Sequence, residues 1–395
     1  MAARGAAPMK EAVIIGVADA PLQDGKLVTP MTPLQLQASV AHAALADAGV
    51  SMGDVDGLLT AGLWGVPGVG QLPTVTLGEY LGIVPRFVDG TNIGGSAFEA
   101  HVGHAAMAIE RGVCEVALIT YGSTQKSDRS RTLGGRPASL TMQFETPWGM
   151  PTPIGGYAMA AMRHMHEFGT TSEQLAEVAV AARAWAGLNP AATHRSPLTI
   201  ADVLASPMIA DPLHQLDACL VTDGGGAIVM TSAENARALG VKPVYVRGFG
   251  ESQTHWTVAT MPDLARLTAA QVSGAAALSM AGVSHDDIDL AEVYDSFTIT
   301  VLMTLEALGF CAPGESGAFV SGQRTAPGGA FPMNTNGGGL SYAHPGMYGI
   351  FLLIEAVRQL RGEAGDRQVS DVRTALVHGT GGTLSSGATC ILSRH

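Results

Sequence analysis

The feature that most constrains the fold is an internal duplication, because similar segments in the same order imply two similar structural units. ALADAGVSMGDVDGL, from Ala44, and ALSMAGVSHDDIDLA, from Ala277, share Ala, Leu, Ala, Gly, Val, Ser and two Asp at one constant offset. Each copy indicates a helix that ends at a C-cap glycine, Gly49 or Gly282, followed by an acidic turn and a strand. The chain is therefore expected to fold as two related halves.

A second pair of segments extends the repeat: TNIGGSAFEA starts at Thr91 and TNGGGLSYAH starts at Thr335. Their alignment places Gly94 opposite Gly338. In each half a helical segment follows the glycines, and then comes an apolar strand, VCEVALITYG in one half and VRTALVHGTGG in the other. This alternation predicts an α/β fold in which each half forms a mostly parallel sheet with crossover helices.

The repeats also suggest the domain organisation. Residues 1–235 are predicted to form the N-terminal half, and residues 236–395 the C-terminal half. An insertion at about residues 122–215 is rich in Gly, Pro and Met and contains the helical stretch SEQLAEVAVAARAWAG. We expect this insertion to be a lid or loop domain that shapes a substrate pocket; an arm at a dimer interface is an equally good interpretation.

Composition excludes several classes of function. The chain has 395 residues, 47% hydrophobic and 14% charged, which suffices for a large core. A net charge of −12 without a basic cluster argues against nucleic-acid binding. No apolar stretch reaches the roughly 20 residues of a membrane span. The four cysteines follow neither a disulfide nor a metal-site pattern, so we expect a cytoplasmic protein without a metal site.

Several longer segments occur in a fixed order over almost the whole chain: VDGTNIGGSAFEAHVGHAAMAIERGVCEVALITYGS, VTDGGGAIVM, AEVYDSFT, NGGGLSYAHPGMYGI and LVHGTGG. In sequence and in order they resemble the thiolase superfamily. The resemblance implies the thiolase fold, an α/β architecture of two duplicated halves in five layers, αβαβα, with an inserted loop domain.

The same resemblance shows what this chain lacks. Thiolases carry a nucleophilic cysteine at the start of the first repeat's helix, and Gly94 stands at that position here; His378 stands at the position of their second cysteine. Tyr294 of VYDSF occupies the asparagine position of the N-E-A-F motif, and the G-H-P histidine is retained as His344 of YAHPG. Glycine cannot attack a carbonyl carbon, so ordinary thiolase chemistry is not expected.

The pattern resembles the sterol carrier protein-type branch, and within it the thiolase-like aldolases that remove acyl-CoA side chains from steroids in bacteria. It implies retro-aldol cleavage of a bulky β-hydroxyacyl-CoA to a ketone and acetyl-CoA or propionyl-CoA. Coenzyme A would enter as part of the substrate, with no tightly bound cofactor. The resemblance also implies a homodimer and a small partner with an OB-fold and a zinc ribbon, accompanied by or fused to a hydratase.

Two other functions stay open at this point. One is an acyl-CoA thiolase or acyltransferase that acts on 3-oxoacyl-CoA with an unorthodox nucleophile. The other is a non-catalytic lipid carrier or assembly subunit.

For retro-aldol chemistry we expect four side chains to act. His344 would stabilise the oxyanion, Tyr294 and Tyr342 would share deprotonation of the hydroxyl and protonation of the enolate, and His378 would orient one of them. Tyrosine has an ordinary pKa of about 10, which a neighbouring imidazole can lower.

Glycines and two loops complete the list of candidates. Gly94, Gly95 and Gly381 are expected to lie at the substrate oxygen, next to backbone N–H groups. His194–Arg195 and His255–Trp256 are candidates for contacting CoA or substrate.

Overall fold

The computed structural model describes residues 10–62, 72–128, 142–150 and 153–395. The first half contains the strands β1 (Ala12–Asp19), β2 (Leu22–Gln23), β3 (Lys26–Leu27), β4 (Gly57–Leu59), β5 (Phe87–Asp89), β6 (Ala117–Ser123), β7 (Met208–Ala210), β8 (Leu213–His214) and β9 (Gly224–Ser232). The second half contains β10 (Val244–Gln253), β11 (Leu290–Val293), β12 (Thr374–Gly381) and β13 (Ser386–Ser393).

Helices connect these strands, singly or in series. They are α1 (Pro33–Ala48), α2 (Pro73–Leu81), α3 (Ala97–Glu110), α4 (Met142–Glu145), α5 (Ile154–Phe168), α6 (Ser172–Leu188), α7 (Ile200–Ala205), α8 (Ala233–Leu239), α9 (Thr268–Ala281), α10 (Thr298–Leu308), α11 (Ser316–Val320) and α12 (Gly349–Arg361). None of them, within the described ranges, is long and apolar enough to cross a membrane.

The strands follow the same order in the two halves, which join through the antiparallel pair β1–β10 into one nine-stranded sheet. The order is β5-β4-β6-β9-β1 in the first half and β11-β12-β13-β10 in the second, where a parallel bridge from Ala291 to Met333 takes the place of β5. Strands β4, β5 and β6 are parallel, as are β11 and β12, whereas the other neighbours are antiparallel. The predicted mostly parallel sheet is therefore wrong: each half is mixed. One reason is the short turn at residues 382–385, which forces β12 and β13 to pair antiparallel.

The helices separate into layers around the strands. Helices α3 and α12 contact each other and strands of both halves, so they form the central layer. Helix α1 covers the other face of β1, β9 and β6, and α9 covers the other face of β10 and β13. The buried apolar side chains form a central cluster and one cluster outside each set of strands. This is the five-layer αβαβα arrangement that the resemblance implies.

The first repeated segment folds alike in both halves. Helices α1 and α9 end at left-handed glycines with φ of 69° and 66°. In each acidic turn a serine N–H donates to a carboxylate three residues later at 2.8 Å, Ser51 to Asp54 and Ser284 to Asp287. The predicted order of helix, C-cap glycine, acidic turn and strand is confirmed.

The insertion packs against the second half. Helices α5 and α6 contact α10, and α6 also lies against residues 338–342. Helix α6 matches the helical stretch predicted from sequence, and it begins where Thr171 accepts a hydrogen bond from the N–H of Gln174. The Gly- and Pro-rich part at residues 134–139 lies outside the described residues. The domain boundary after residue 235 stays a prediction; that residue lies within α8.

Candidate active site

Two glycine turns, one from each half, meet the central helices. Gly94 and Gly338 both have positive φ, 75° and 65°, a conformation that favours glycine. In each turn the glycine N–H donates to an asparagine Oδ1 two residues earlier, Asn92 at 3.1 Å and Asn336 at 2.8 Å. The first turn then enters α3 almost at once, whereas residues 339–348 form a longer path to α12. The second turn therefore has residues before its helix whose side chains can enter the site, whereas the first turn has almost none.

The centre of the site is the contact between Tyr294 and His344. The phenol oxygen of Tyr294 lies 2.9 Å from Nε2 of His344, and the two rings meet edge to face. Tyr348 completes the group, because its backbone N–H donates to the phenol oxygen at 3.0 Å and its ring stacks on the imidazole. One phenol is thus held between an imidazole and a backbone donor.

Burial determines the protonation of this pair. It raises the pKa of Tyr294 well above 10, so the predicted lowering by a neighbouring imidazole is wrong. It lowers the pKa of His344 to about 4, because a charged imidazole is poorly solvated there. At neutral pH the pair is a phenol beside a neutral imidazole. Such a pair can accept a proton at the phenol oxygen while passing its own to the imidazole.

Two backbone segments fix the positions of the pair. Tyr294 follows the end of β11, where its N–H donates to the carbonyl of His378 at 2.9 Å. The N–H of His344 donates to Oγ1 of Thr222 at 3.0 Å, and the N–H of Thr222 donates to the carbonyl of His344 at 3.3 Å. Thr222, in the glycine-rich motif at the start of β9, therefore holds the loop that carries His344.

Asp295 holds the second glycine turn through hydrogen bonds. Its carboxylate accepts the N–H groups of Gly339 at 2.6 Å and Leu340 at 3.2 Å. Burial nevertheless raises the pKa of Asp295 to about 7. A Cβ at Gly338 would overlap this carboxylate, so the turn requires glycine for space as well as for its φ.

The two glycines of the first turn, Gly94 and Gly95, face different parts of the site. A Cβ at Gly94 would lie 2.6 Å from the nitrogen of Gly382 and 2.8 Å from Cα of Gly381. A Cβ at Gly95 would overlap the ring of Tyr294 instead. The sequence alignment places the missing nucleophile at Gly94, but the structure directs residue 95, not residue 94, at the tyrosine. The Tyr294 ring occupies the space that a side chain at residue 95 would need.

Comparisons with known proteins agree with this architecture. Residues 250–394 match the thiolase C-terminal domain-like family. The chain is 36% identical over 366 residues to a steroid side-chain-cleaving aldolase of Thermomonospora curvata, over 90% of this chain and 92% of that protein. It is 34% identical over 363 residues to an acetyl-CoA acetyltransferase of Methanothermobacter thermautotrophicus, over 89% and 92%. The solved structure of an Ltp2-ChsH2(DUF35) aldolase has a TM-score of 0.86 and 33% identity, and covers 98% of each chain.

The chain belongs to the thiolase superfamily. The predicted superfamily, its sterol carrier protein-type branch and its fold are confirmed.

Two of the predicted site residues of this thiolase fold have side-chain partners other than the Tyr294–His344 pair. Tyr342 donates its hydroxyl to Asp19, whose carboxylate also accepts from Arg358 at 2.6 Å. Nδ1 of His378 lies 2.8 Å from Oγ1 of Thr389, on the α9 side of the sheet, because side chains alternate along β12. Burial lowers the pKa of His378 to about 3. In this arrangement the two side chains are bonded to Asp19 and Thr389 rather than to the Tyr294 hydroxyl, so the roles predicted for them stay predictions; the carbonyl of His378 accepts the N–H of Tyr294.

The remaining candidates have structural contacts. Ser96, which follows the two glycines of the first turn, is not among those candidates; it is buried, and its hydroxyl lies 2.9 Å from that of Ser386, as in a packed core residue. Nε2 of His255 lies 3.0 Å from the carbonyl of Thr383, so this histidine supports the turn beyond β12. His194–Arg195 is exposed on the insertion. Residues that could hold a metal ion are not grouped anywhere in the described part of the chain.

Sequence reasoning missed three residues near the phenol. Tyr348 follows His344 in the motif HPGMYG, so the motif itself could have indicated it. Tyr157 packs on Phe297 with ring centroids 4.3 Å apart, and the N–H of Cys219 donates to the carbonyl of Ser296 at 2.9 Å; both thus contact the segment that follows Tyr294, but no local pattern marks either. Burial also raises the pKa of the Cys219 thiol, so at neutral pH it is not a thiolate nucleophile.

Proposed function

We propose that this protein catalyses retro-aldol cleavage of a bulky β-hydroxyacyl-CoA of the steroid side-chain type, giving a ketone and acetyl-CoA or propionyl-CoA. The observation that carries the proposal is the position of Tyr294. Its ring fills the space that a side chain at residue 95 would need, and its hydroxyl is hydrogen-bonded to His344. A phenol and an imidazole without a nucleophile move protons but form no acyl-enzyme. The similarity to the steroid side-chain-cleaving aldolase supports the substrate class.

The proton transfers balance with one pair of groups. The β-hydroxyl proton passes to the Tyr294 oxygen as the phenol gives its own proton to Nε2 of His344. The Cα–Cβ bond breaks, the hydroxyl carbon becomes a ketone, and the electron pair forms the thioester enolate. A proton then returns through the same pair to Cα, so no second acid or base is needed. The Tyr348 N–H stabilises negative charge on the phenol oxygen during the transfer.

The enolate oxygen needs hydrogen-bond donors. We assign it to the first glycine turn, beside Gly94, Gly95 and Gly381. Helix α3 begins there, and the positive end of a helix dipole stabilises negative charge. Coenzyme A enters as part of the substrate.

The decisive test is product analysis. The chain, alone and with an OB-fold and zinc-ribbon protein from its source organism, is incubated with β-hydroxyacyl-CoAs that carry a tertiary or a secondary hydroxyl. Mass spectrometry should show a short acyl-CoA with a ketone from the tertiary alcohol, or with an aldehyde from the secondary alcohol, and the protein unmodified. An acyl group attached to the protein together with consumption of free CoA would instead establish an acyltransferase. Binding without turnover would establish a carrier.

A homodimer is the second part of the proposal. Strand β5 forms one edge of the sheet, and Val84 and Val88 nearby are 95% and 53% exposed. A groove of about 460 Å³ beside them is lined in part by Phe87 and Met107. Edge strands with apolar side chains are usually covered, which supports a second copy here. Light scattering should show a dimer for the native chain and a monomer for Val88→Lys; a native monomer would refute it.

The third part is a partner protein. The similar Ltp2-ChsH2(DUF35) structure pairs an aldolase with a DUF35 partner. That pairing supports a DUF35-type partner for this chain. The finer part of the proposal is that this partner is a small protein with an OB-fold and a zinc ribbon, with a hydratase fused to it or accompanying it. Co-expression and gel filtration test for the complex.

A further inference from the structure

The insertion reaches the site through Tyr157 of helix α5. This side chain is 4% exposed, and its hydroxyl donates to the carbonyl of Gly382 at 3.2 Å. Its ring packs on Phe297 with centroids 4.3 Å apart. Phe297 belongs to the same short segment as Tyr294, so Tyr157 contacts both the glycine turn after β12 and the segment that carries the phenol.

Gly382 belongs to the turn that backs the first glycine turn. Its nitrogen would lie 2.6 Å from a Cβ at Gly94, so the two backbones pack together with no side chain between them. His255 supports the same turn through the carbonyl of Thr383 at 3.0 Å. The carbonyl that Tyr157 holds is therefore part of the backbone that would face the enolate oxygen.

Helix α5 is docked with little free space. A Cβ at Gly156 would lie 2.6 Å from Cγ2 of Val258 and 2.7 Å from Cγ2 of Thr383. The helix therefore cannot move relative to the turn without repacking both. Tyr157 is also near enough to Tyr294 for charge on one phenol to raise the pKa of the other.

We propose that Tyr157 is a positioning residue for the carbon–carbon cleavage. Its hydroxyl fixes the peptide after Gly382, so that the turn presents its backbone to the thioester oxygen, and its ring closes the side of the site next to Tyr294. This inference rests on the proposed lyase function. It gives the insertion the role of completing the site rather than that of a dimer arm.

The kinetic experiment compares Tyr157→Phe with Tyr245→Phe in the full chain. Tyr245 is a half-buried residue of β10 under Arg247, so its variant is a matched loss of one hydroxyl away from the site. We expect kcat of Tyr157→Phe to fall about 10- to 100-fold while KM rises only about three- to fivefold, because a misplaced donor costs rate more than binding. Tyr245→Phe should keep both constants. Tyr157→Met, which also lacks the hydroxyl, should repeat the fall.

A binding experiment separates positioning from general destabilisation. Two inert ligands are compared: an acyl-CoA without the β-hydroxyl, and its thioether analogue, in which CH₂ replaces the carbonyl. Tyr157→Phe should weaken binding of the thioester by roughly threefold or more and leave the thioether unchanged. Equal loss for both ligands, or native kcat in both Tyr157 variants, would overturn the inference. Lack of cleavage by the native chain would instead overturn the proposed function, so the two failures are distinct.

Discussion

The glycine turn of the first half and that of the second half have similar sequences, TNIGG and TNGGG, but contribute differently to the site. Both begin with an asparagine that caps a left-handed glycine, at Asn92–Gly94 and Asn336–Gly338. Only the second continues through a loop that carries His344 and Tyr348 before its helix starts. The first copy supplies space and a helix start; the second supplies side chains.

The residues that follow β4 and β11 also differ: they are small in the first half and carry functional side chains in the second. When the first repeat is extended, Ala61 falls opposite Tyr294, and Gly62 falls opposite Asp295. In the first half Asn92 Nδ2 donates to the carbonyl of Ala61 at 2.8 Å, so a backbone contact holds the turn. In the second half the carboxylate of Asp295 holds it. A duplicated scaffold thus becomes a site when one copy replaces small residues with a phenol and a carboxylate.

The largest expected effect comes from removing the phenol that only the second copy has. Tyr294→Phe should lower kcat for cleavage about 10³-fold, because the relay between substrate hydroxyl and His344 is lost. Acyl-CoA affinity should stay within about threefold of native, since the ring remains. Tyr348→Phe is the matched control, because its backbone N–H is unchanged and only its hydroxyl contact with Asn336 is lost. Turnover of Tyr294→Phe at the native rate would remove this residue from the mechanism.

The next effect tests the space that the first copy supplies. Gly95→Ala places a Cβ inside the Tyr294 ring and 2.6 Å from the carbonyl of Thr380. Overpacking of this kind costs roughly 1–3 kcal/mol, and displacement of the ring should abolish most activity. Gly187→Ala in α6 is the control, since its Cβ meets only an ordinary contact at 3.6 Å. Urea unfolding and the cleavage assay measure both variants; a fully active Gly95→Ala would show that the ring is not confined there.

A smaller effect is the pH dependence that the second copy gains with Asp295. Its folded pKa of about 7 lies above the ordinary 3.8, so between these values the folded chain holds a proton that the unfolded chain has released. Stability should therefore fall as pH rises through this window and level off above it. The asparagine of the Asp295→Asn variant cannot ionise. The free energy of unfolding of the native chain should therefore fall relative to that of the variant between pH 5 and pH 8.

This comparison is made by urea unfolding of both chains at each pH. Burial also raises the pKa of Glu99 to about 8, and that contribution is present in both chains and cancels in the difference. A difference that does not change with pH would contradict a raised pKa at Asp295.

The contrast also explains what the sequence could predict. Repeats and caps are local, so the duplicated fold follows from short segments such as those ending at Gly49 and Gly282. Tyr294 and His344 could be found because each lies in a motif of its own, although their pairing depends on the fold. Side-chain direction is not local: Tyr342 turns to Asp19, from the other end of the chain, and strand alternation turns His378 to the outer face.

The insertion shows the same limit. Helix α6 could be predicted from its pattern, but the contact of Tyr157 with Gly382 joins distant parts of the chain. The sequence alignment indicated Gly94 as the residue that faces the catalytic groups, whereas in the structure it is Gly95 that faces Tyr294. A one-residue difference in direction is invisible until the backbone angles of the turn are known.

The smallest catalytic effect is expected at the tyrosine that sequence alone made a candidate. Tyr342→Phe removes the hydroxyl that donates a hydrogen bond to Asp19, while the ion pair of Asp19 with Arg358 at 2.6 Å persists. Loss of one buried hydrogen bond to a charged group costs about 1.5–3 kcal/mol of unfolding free energy. Because the hydroxyl is directed at β1 and not at His344, kcat should stay within about twofold of native. Urea unfolding and the cleavage assay, run beside Tyr294→Phe, separate the two tyrosines. A large loss of kcat with native stability would place Tyr342 in the mechanism and require the second turn to rearrange when substrate binds.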